Sequence, residues 1–242
     1  MMDVTYSDIS KMIDHSVLNP TLTRVELEKG INLALEYDCA SVCIMPYALK
    51  LCAAMLQGST VKASTVIGFP HGGHTTEIKV AEAKRALADG SQELDVVCCI
   101  SAVLSGDWNY VTAELKALTE VTHDAGQKIK VIFENAYLAE MHKIALCEIC
   151  GELNVDWVKT STGYAPSGAT IEDLKLMRKH SPAHVQVKAA GGVRDLDTLL
   201  LAKAAGVTRV GLSKSADILD ELKRRLAGEA PSQAGVSDDV AY

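Results

Sequence analysis

Short runs rich in Val, Ile and Cys recur along the chain: "ASVCI" (40–44), "VKASTVIGF" (61–69), "QELDVVCCI" (92–100), "KIKVIFE" (128–134), "VDWVKTS" (155–161), "HVQVKAA" (184–190) and "TRVGLS" (208–213). Each is too continuous for a strand with one wet face and reads as a strand buried on both. "IDHSVL" (13–18) supplies one more at the start. Helical patterns lie between them. In "TTEIKVAEAKRALADG" (75–90), Val80, Ala83, Ala86 and Leu87 share a face, Thr75 or Thr76 can cap the start and Gly90 can end it. Another helix starts at Thr170 with Asp173 three residues on, a capping-box spacing, and a third runs from Leu196 through Lys203 to Gly206.

Strands that alternate with helices call for parallel pairing through right-handed crossovers, and this number of units predicts a single closed (β/α)8 barrel. A doubly wound open sheet competes, but no G-x-G-x-x-G follows the first strand. The barrel is expected over residues 1–226. Residues 227–242, "AGEAPSQAGVSDDVAY", are small, polar and Pro/Gly-containing, which predicts a flexible tail.

A barrel of this kind does its chemistry at the C-terminal ends of its strands. Asp95 falls inside "ELDVVCC", Glu134 ends "KVIFE", Lys159 ends "DWVK" and Lys188 ends "VQVK". Two carboxylates and two lysines from four successive strands are therefore expected at one mouth. Adjacent ammonium groups disfavour each other's charge and burial disfavours both, so one lysine can become a neutral nucleophile that captures a carbonyl as a Schiff base. Asp95 would shuttle protons, directly or through a water. Against this stands the plain reading that a strand-end lysine only reaches for solvent. "TSTG" after Lys159, "AAGGVR" after Lys188 and "GLSKS" after the last strand favour the chemical reading, because glycine backbone and hydroxyls, such as Thr162, can cradle an anion. Arg194 is open to either role, anion contact or an ion pair on the outer helices.

Bulk properties narrow the partners. The 242 residues are 48% hydrophobic and 23% charged, with a net charge of −7 and no clustered basic stretch, so nucleic acid is not expected. There is no cationic, apolar leader and no run long enough to span a membrane, which predicts a cytoplasmic protein. Seven cysteines, mostly inside apolar segments, read as reduced thiols. Cys147 and Cys150 form a lone C-x-x-C within a helical pattern, without a second pair at zinc spacing, and read as core.

"IDHSVLNP" from Ile13, "IGFPHGGHTTEIKVAEAK" from Ile67, "ELDVV" around Asp95, "KTSTG" at Lys159 and "KAAGGVR" at Lys188 together resemble the deoxyribose-phosphate aldolases, over nearly all of Ile13 to Ser215. The resemblance implies a class I aldolase on a (β/α)8 barrel that needs no metal or cofactor and cleaves 2-deoxyribose 5-phosphate reversibly to glyceraldehyde 3-phosphate and acetaldehyde. It assigns Lys159 as the Schiff-base lysine, Lys188 as the lysine that depresses its pKa, and Asp95 as the carboxylate of the proton relay. Asp14 becomes an acidic residue one step behind the substrate, and Cys43 a thiol lining the small-aldehyde pocket. Gly163, Gly191, Gly192 and Ser213 match phosphate-contacting positions. Tyr242 matches a tail tyrosine that assists proton transfer in some members.

The chain also departs from that pattern. Ala189, Asn135 and Ser16 replace residues usual in the family and bear on packing; Cys98-Cys99, Met45 and Lys214 are closer to the chemistry. Lys214 adds a cation beside the expected anion site, which motivates an alternative: a related lysine-dependent aldolase for another phosphorylated sugar or keto-acid. A barrel that only binds a phosphorylated metabolite is the third reading, disfavoured because binding alone would not need a buried cationic pair. The expected partners are a phosphorylated sugar and an aldehyde; the oligomeric state stays open, a homodimer or larger homo-oligomer included.

Overall fold

Strands buried on both faces must find cover on each, and closing the sheet on itself while ringing it with helices supplies both covers at once. A computed structural model of the chain, which describes residues 4–231, shows this arrangement. The eight strands are β1 (Ile13–Val17), β2 (Ser41–Ile44), β3 (Lys62–Ile67), β4 (Glu93–Val97), β5 (Lys128–Ile132), β6 (Trp157–Lys159), β7 (Gln186–Ala190) and β8 (Arg209–Leu212). All pair in parallel in chain order, and β8 returns to β1 to close the barrel. The open-sheet alternative is thereby excluded.

Neighbouring residues level with each other in a parallel sheet point to the same side. The register sets Asp95 level with Lys130, Lys159 with Lys188, Lys188 with Arg209, and Asp14 with Gly211. Charged side chains thus collect inside the barrel. The large apolar core lies outside it, between sheet and helices, built from residues such as Val42, Leu94, Val131, Val158 and Val187 on the strands and Ile31, Leu115, Leu146, Leu174 and Leu199 on the helices.

Several local expectations are refined. The helix after β3 runs Thr76–Ala88 with Thr75 extended at its N-cap, and Gly90 follows in a left-handed conformation. Its innermost positions include Lys79 as well as Ala83 and Ala86. The helix Ile171–His180 does start after Thr170, whose hydroxyl accepts from the Asp173 amide at 3.1 Å. The reciprocal half of the capping box is missing, because the Asp173 carboxylate turns instead to Lys143 at 2.7 Å and Asn135 at 3.2 Å. β4 stops at Val97, not at Ile100, since Cys99 begins a short helix, Ile100–Leu104. Cys147 and Cys150 are buried in the core on the helix Glu140–Glu152. Among the described residues no helix is long and apolar enough to cross a membrane.

Lys79 is held at the end of β4 by a partner the pattern did not reveal. Its ammonium meets Glu114 of the helix Trp108–Asp124 at 2.7 Å, with both side chains fully buried, and also donates to the Val97 carbonyl at 2.9 Å. Glu114 in turn accepts from the Cys99 amide at 2.9 Å. The pair thus satisfies backbone groups that the strand leaves behind. Removing one partner strands a buried charge, so Glu114→Ala should lower unfolding free energy by about 3–5 kcal/mol in urea titration, whereas Lys79→Met with Glu114→Leu should lose far less.

On the outer side of β1, the His15 Nδ1 lies 2.7 Å from the Ser215 hydroxyl at the start of the helix Ser215–Leu226, tying the first strand to the last helix. Burial pushes this imidazole down from 6.5 to about 4. The unfolded chain protonates His15 near pH 6.5 and the folded one only near pH 4, so the stability it contributes is complete above the first value and drains away down to the second. Urea titrations over that interval should show a loss of about 3 kcal/mol that His15→Asn reduces.

Candidate active site

Seven charged side chains form one connected cluster inside the barrel. Asp95 of β4 is its centre: one carboxylate oxygen, Oδ2, accepts from both Lys159 and Lys188, each at 2.7 Å, and Oδ1 accepts from Lys130 at 2.9 Å. Lys188 also donates to Asp14 of β1 at 2.5 Å. Arg209 of β8 bridges Asp14 at 2.5 Å and Glu93 at 2.8 Å, and Lys130 reaches Glu93 at 2.6 Å. The Trp157 ring lies beneath, 5.1 Å from the Arg209 guanidinium and 5.9 Å from the Lys130 nitrogen, within cation–π range. Gly211 leaves the room that the Lys188 stem occupies, since a Cβ there would sit 3.3 Å from Lys188 Cε.

The electrostatics separate the two strand-end lysines. Burial drives Lys159 below the ordinary lysine range; Asp95 opposes this and the Lys188 charge reinforces it. For Lys188 burial acts the same way, but Asp14 and Asp95 outweigh it and hold its pKa above the ordinary value. Burial would raise Asp95, yet the ammonium groups of Lys130, Lys159 and Lys188 keep it well below the usual carboxylate range. Asp14 is depressed likewise, by Arg209, Lys188 and Lys130 against its burial. Of the two lysines, Lys159 is therefore the amine that is readily neutral and Lys188 the fixed cation.

Above the cluster opens a cavity of about 570 Å³. Lys159 and Lys188 line its floor together with Asp14 and Cys43. Leu18 and Cys43 give the cavity part of its apolar lining, and behind them they pack with Val66, Met45 and Phe69 into a small apolar cluster. Burial lifts the Cys43 thiol to about 11, so it is a neutral part of that lining. The opposite side carries Thr162, Gly163, Gly191, Gly192, Ser213 and Lys214, with Arg194 exposed at the rim. Gly168 and Gly191 meet backbone to backbone: a Cβ on Gly168 would lie 2.4 Å from the Gly191 carbonyl carbon. Such glycines let main-chain N–H groups face a ligand, and the start of the helix Ser215–Leu226 follows Lys214 directly.

Tyr164 lines the cavity from the same loop. Its hydroxyl donates to the Leu18 carbonyl at 2.8 Å and its ring stands edge-on to Phe69, 5.4 Å between centroids. The loop is pinned from below by Glu134, whose carboxylate accepts from the Thr162 amide at 3.0 Å and from the Thr162 hydroxyl.

Most residues singled out from the sequence share this one site: Lys159, Lys188, Asp14, Cys43, Thr162, Gly163, Gly191, Gly192, Ser213 and Lys214 all line the cavity. Asp95 is adjacent but fully buried beneath the lysines. One expectation needs correction. Glu134 does not converge on the mouth, because a left-handed backbone (φ 61°) turns it away from the strand direction and onto Thr162. Asp14, expected one step behind the substrate, is in direct contact with Lys188. Burial disfavours the charge of both lysines as expected, but on Lys188 two carboxylates outweigh it. Tyr242 lies outside the described residues. Lys130, Glu93 and Arg209 went unread, although charges at alternate positions of a strand, as in "ELD" and "KIK", signal an inward polar face.

The family model of DeoC/LacD family aldolases matches residues 9–213. The chain is 64% identical to a protein named deoxyribose-phosphate aldolase from Rhodopirellula baltica, over 93% of this chain and 94% of that one. Among solved structures it is similar to an aldolase called QR15, with TM-score 0.86 and 40% identity over 92% of this chain and 99% of the other. It is also similar to the deoxyribose phosphate aldolase of Aeropyrum pernix, described as tetrameric, with TM-score 0.84 and 27% identity over 90% and 92% of the two chains.

The Glu134–Thr162 anchor predicts a local effect. Thr162→Val removes a hydroxyl donor from a buried carboxylate and should speed amide hydrogen exchange in residues 160–168 by about tenfold, leaving the strands protected as before.

Proposed function

The chain belongs to the DeoC/LacD family of aldolases, and from this we infer that it cleaves 2-deoxy-D-ribose 5-phosphate reversibly to D-glyceraldehyde 3-phosphate and acetaldehyde through a Schiff base on Lys159. The observation that carries the reading is the pair of lysines on one oxygen of Asp95, with only Lys159 driven toward its neutral form. The neutral amine adds to the C1 aldehyde of the open-chain sugar, and the resulting carbinolamine loses water to give an iminium. Lys188, charged and lining the cavity, supplies the proton that leaves with the hydroxyl, while Asp95 holds the two nitrogens at a shared acceptor.

The C2–C3 bond then breaks. Its electron pair moves toward the iminium nitrogen to form an enamine, and the C3 hydroxyl gives its proton to the Lys188 amine left neutral by the dehydration, as C3 becomes the aldehyde of glyceraldehyde 3-phosphate. That proton then goes to the enamine carbon, and water adds to the iminium so formed, releasing acetaldehyde and regenerating the amine. Leu18 and Cys43, which line the cavity and are backed by Val66 and Phe69, suit the apolar methyl end of the two-carbon fragment. Thr162, Gly163, Gly191, Gly192, Ser213 and Lys214 suit the phosphate, through hydroxyls, backbone N–H groups and one cation.

The reading extends to parts beyond the site. Residues 1–226 serve as the catalytic barrel and 227–242 as a tail, in which Tyr242 would assist proton transfer at the enamine carbon. Self-association of the barrels is part of it, as described for the Aeropyrum pernix relative.

Borohydride reduction in the presence of acetaldehyde should place a reduced two-carbon adduct on Lys159, located by intact mass and peptide mapping. Lys159→Ala should remove the adduct and lower kcat by at least about a thousandfold. Labelling elsewhere, or none, would contradict the assignment.

A further inference from the structure

The cluster inside the barrel contains three carboxylates, Asp14, Glu93 and Asp95, and four basic side chains, Lys130, Lys159, Lys188 and Arg209. With every group ionised it carries one surplus positive charge. The surplus is not shared evenly. Lys130 lies within ion-pair distance of all three carboxylates, the longest at 3.6 Å to Asp14. Lys188 touches Asp14 and Asp95, and Arg209 touches Asp14 and Glu93. Among the described residues, Lys159 has one carboxylate partner, Asp95, and must share its oxygen with Lys188.

Loss of one proton from Lys159 brings the buried cluster to neutrality. Loss from any other member would strip a cation from two or more carboxylates that have no water to replace it. We propose that Glu93, Lys130 and Arg209, none of which lines the cavity, are positioning residues that set the protonation of the nucleophile by fixing the charge count of the barrel interior. The familiar lysine pair is then only half of the device, because the charge of Lys188 is already matched by Asp14 and Asp95.

Every wall facing Lys159 enters this count. Asp14 comes from β1, Glu93 and Asp95 from β4, Lys130 from β5, Lys188 from β7 and Arg209 from β8. β2 adds the Cys43 thiol, neutral as described, and β3 adds Ser64 and Val66, which carry no charge. Glu26, Arg194 and Lys214 also line the cavity; Glu26 and Arg194 are exposed, where solvent screens them, and Lys214 is half-buried and keeps its charge in every variant below.

The proposal rests on Lys159 being the nucleophile, and the test separates the two ideas. Trapping with acetaldehyde and sodium cyanoborohydride at a series of pH values, read by intact mass and peptide mapping, reports the fraction of neutral Lys159. Glu93→Gln removes a negative charge and should move the acid limb of the trapping rate about one unit to lower pH; Lys130→Met removes a positive charge and should move it about one unit higher. The double variant restores the count and should return the limb to the wild-type position. Arg209→Lys keeps the charge and should leave the limb in place.

A role confined to folding would slow trapping in all variants without moving the limbs in opposite directions. Limbs that shift together, or that stay fixed in both single variants, would overturn the proposal. Should circular dichroism show one single variant unfolded, the sign of the other and the position of the double variant decide, and a wrong sign or a displaced double overturns it. An adduct mapping away from Lys159 in the wild type would instead defeat the underlying reading.

Discussion

Everything in the site depends on one carboxylate oxygen that two ammonium groups must share. Asp95 Oδ2 accepts from Lys159 and Lys188 at equal distance, inside a barrel that admits little water. A single acceptor cannot stabilise two full positive charges as well as it stabilises one, and the low dielectric makes the shortfall larger than it would be at a surface. Which lysine yields is settled by Asp14, which approaches Lys188 and not Lys159. A small asymmetry of packing thereby becomes a chemical distinction between two residues of the same type.

Such an interior is expensive. Ion pairs removed from water seldom gain more than their desolvation costs, so this cluster is no argument for stability. The fold carries the cost elsewhere, in the apolar layer between strands and helices, where Val, Ile and Leu side chains are almost entirely buried. Division of labour follows from strand geometry: alternate residues of each strand face opposite sides, so the same five-residue strand presents Leu94 and Val96 outward and Glu93 and Asp95 inward. β2 and β3 break the charged ring with Ser41, Cys43, Ser64 and Val66, and there Cys43 and Val66 pack with Leu18 into a small apolar cluster.

The fold was legible because its signal is repetitive: runs buried on both faces, separated by helical patterns, leave few topologies open. The site was legible where a lysine ends a strand and glycine or hydroxyl residues follow, since chain direction alone sends those positions to one mouth. Lys130, Glu93 and Arg209 were hidden for a physical reason. Alternating charges, as in "ELD" and "KIK", mark an inward polar face, but which charges meet there is set by the register, and Asp95 beside Lys130 becomes visible only once β4 and β5 are paired. Glu134 misled for another reason. The left-handed turn at that residue is a backbone property, and nothing in its side chain announces it.

The asymmetry between floor and rim explains why one site can combine a reactive amine with a strongly anionic substrate. Glycines and hydroxyls at the rim offer dipoles rather than a dense array of charges, so an anion can be held there without drawing a proton onto the floor. Had the rim been built of several lysines packed against Lys188, their field would have depressed Lys159 further when empty and released it on binding, coupling nucleophilicity to occupancy. On the proposed reading, with Lys214 and Arg194 on the loops that line the cavity and the floor's cations paired with its own carboxylates, the amine would be set by the barrel interior and the anion by the loops. Reactivity and recognition can then vary separately, the first through residues that solvent never reaches and the second through loops that the barrel tolerates in many forms.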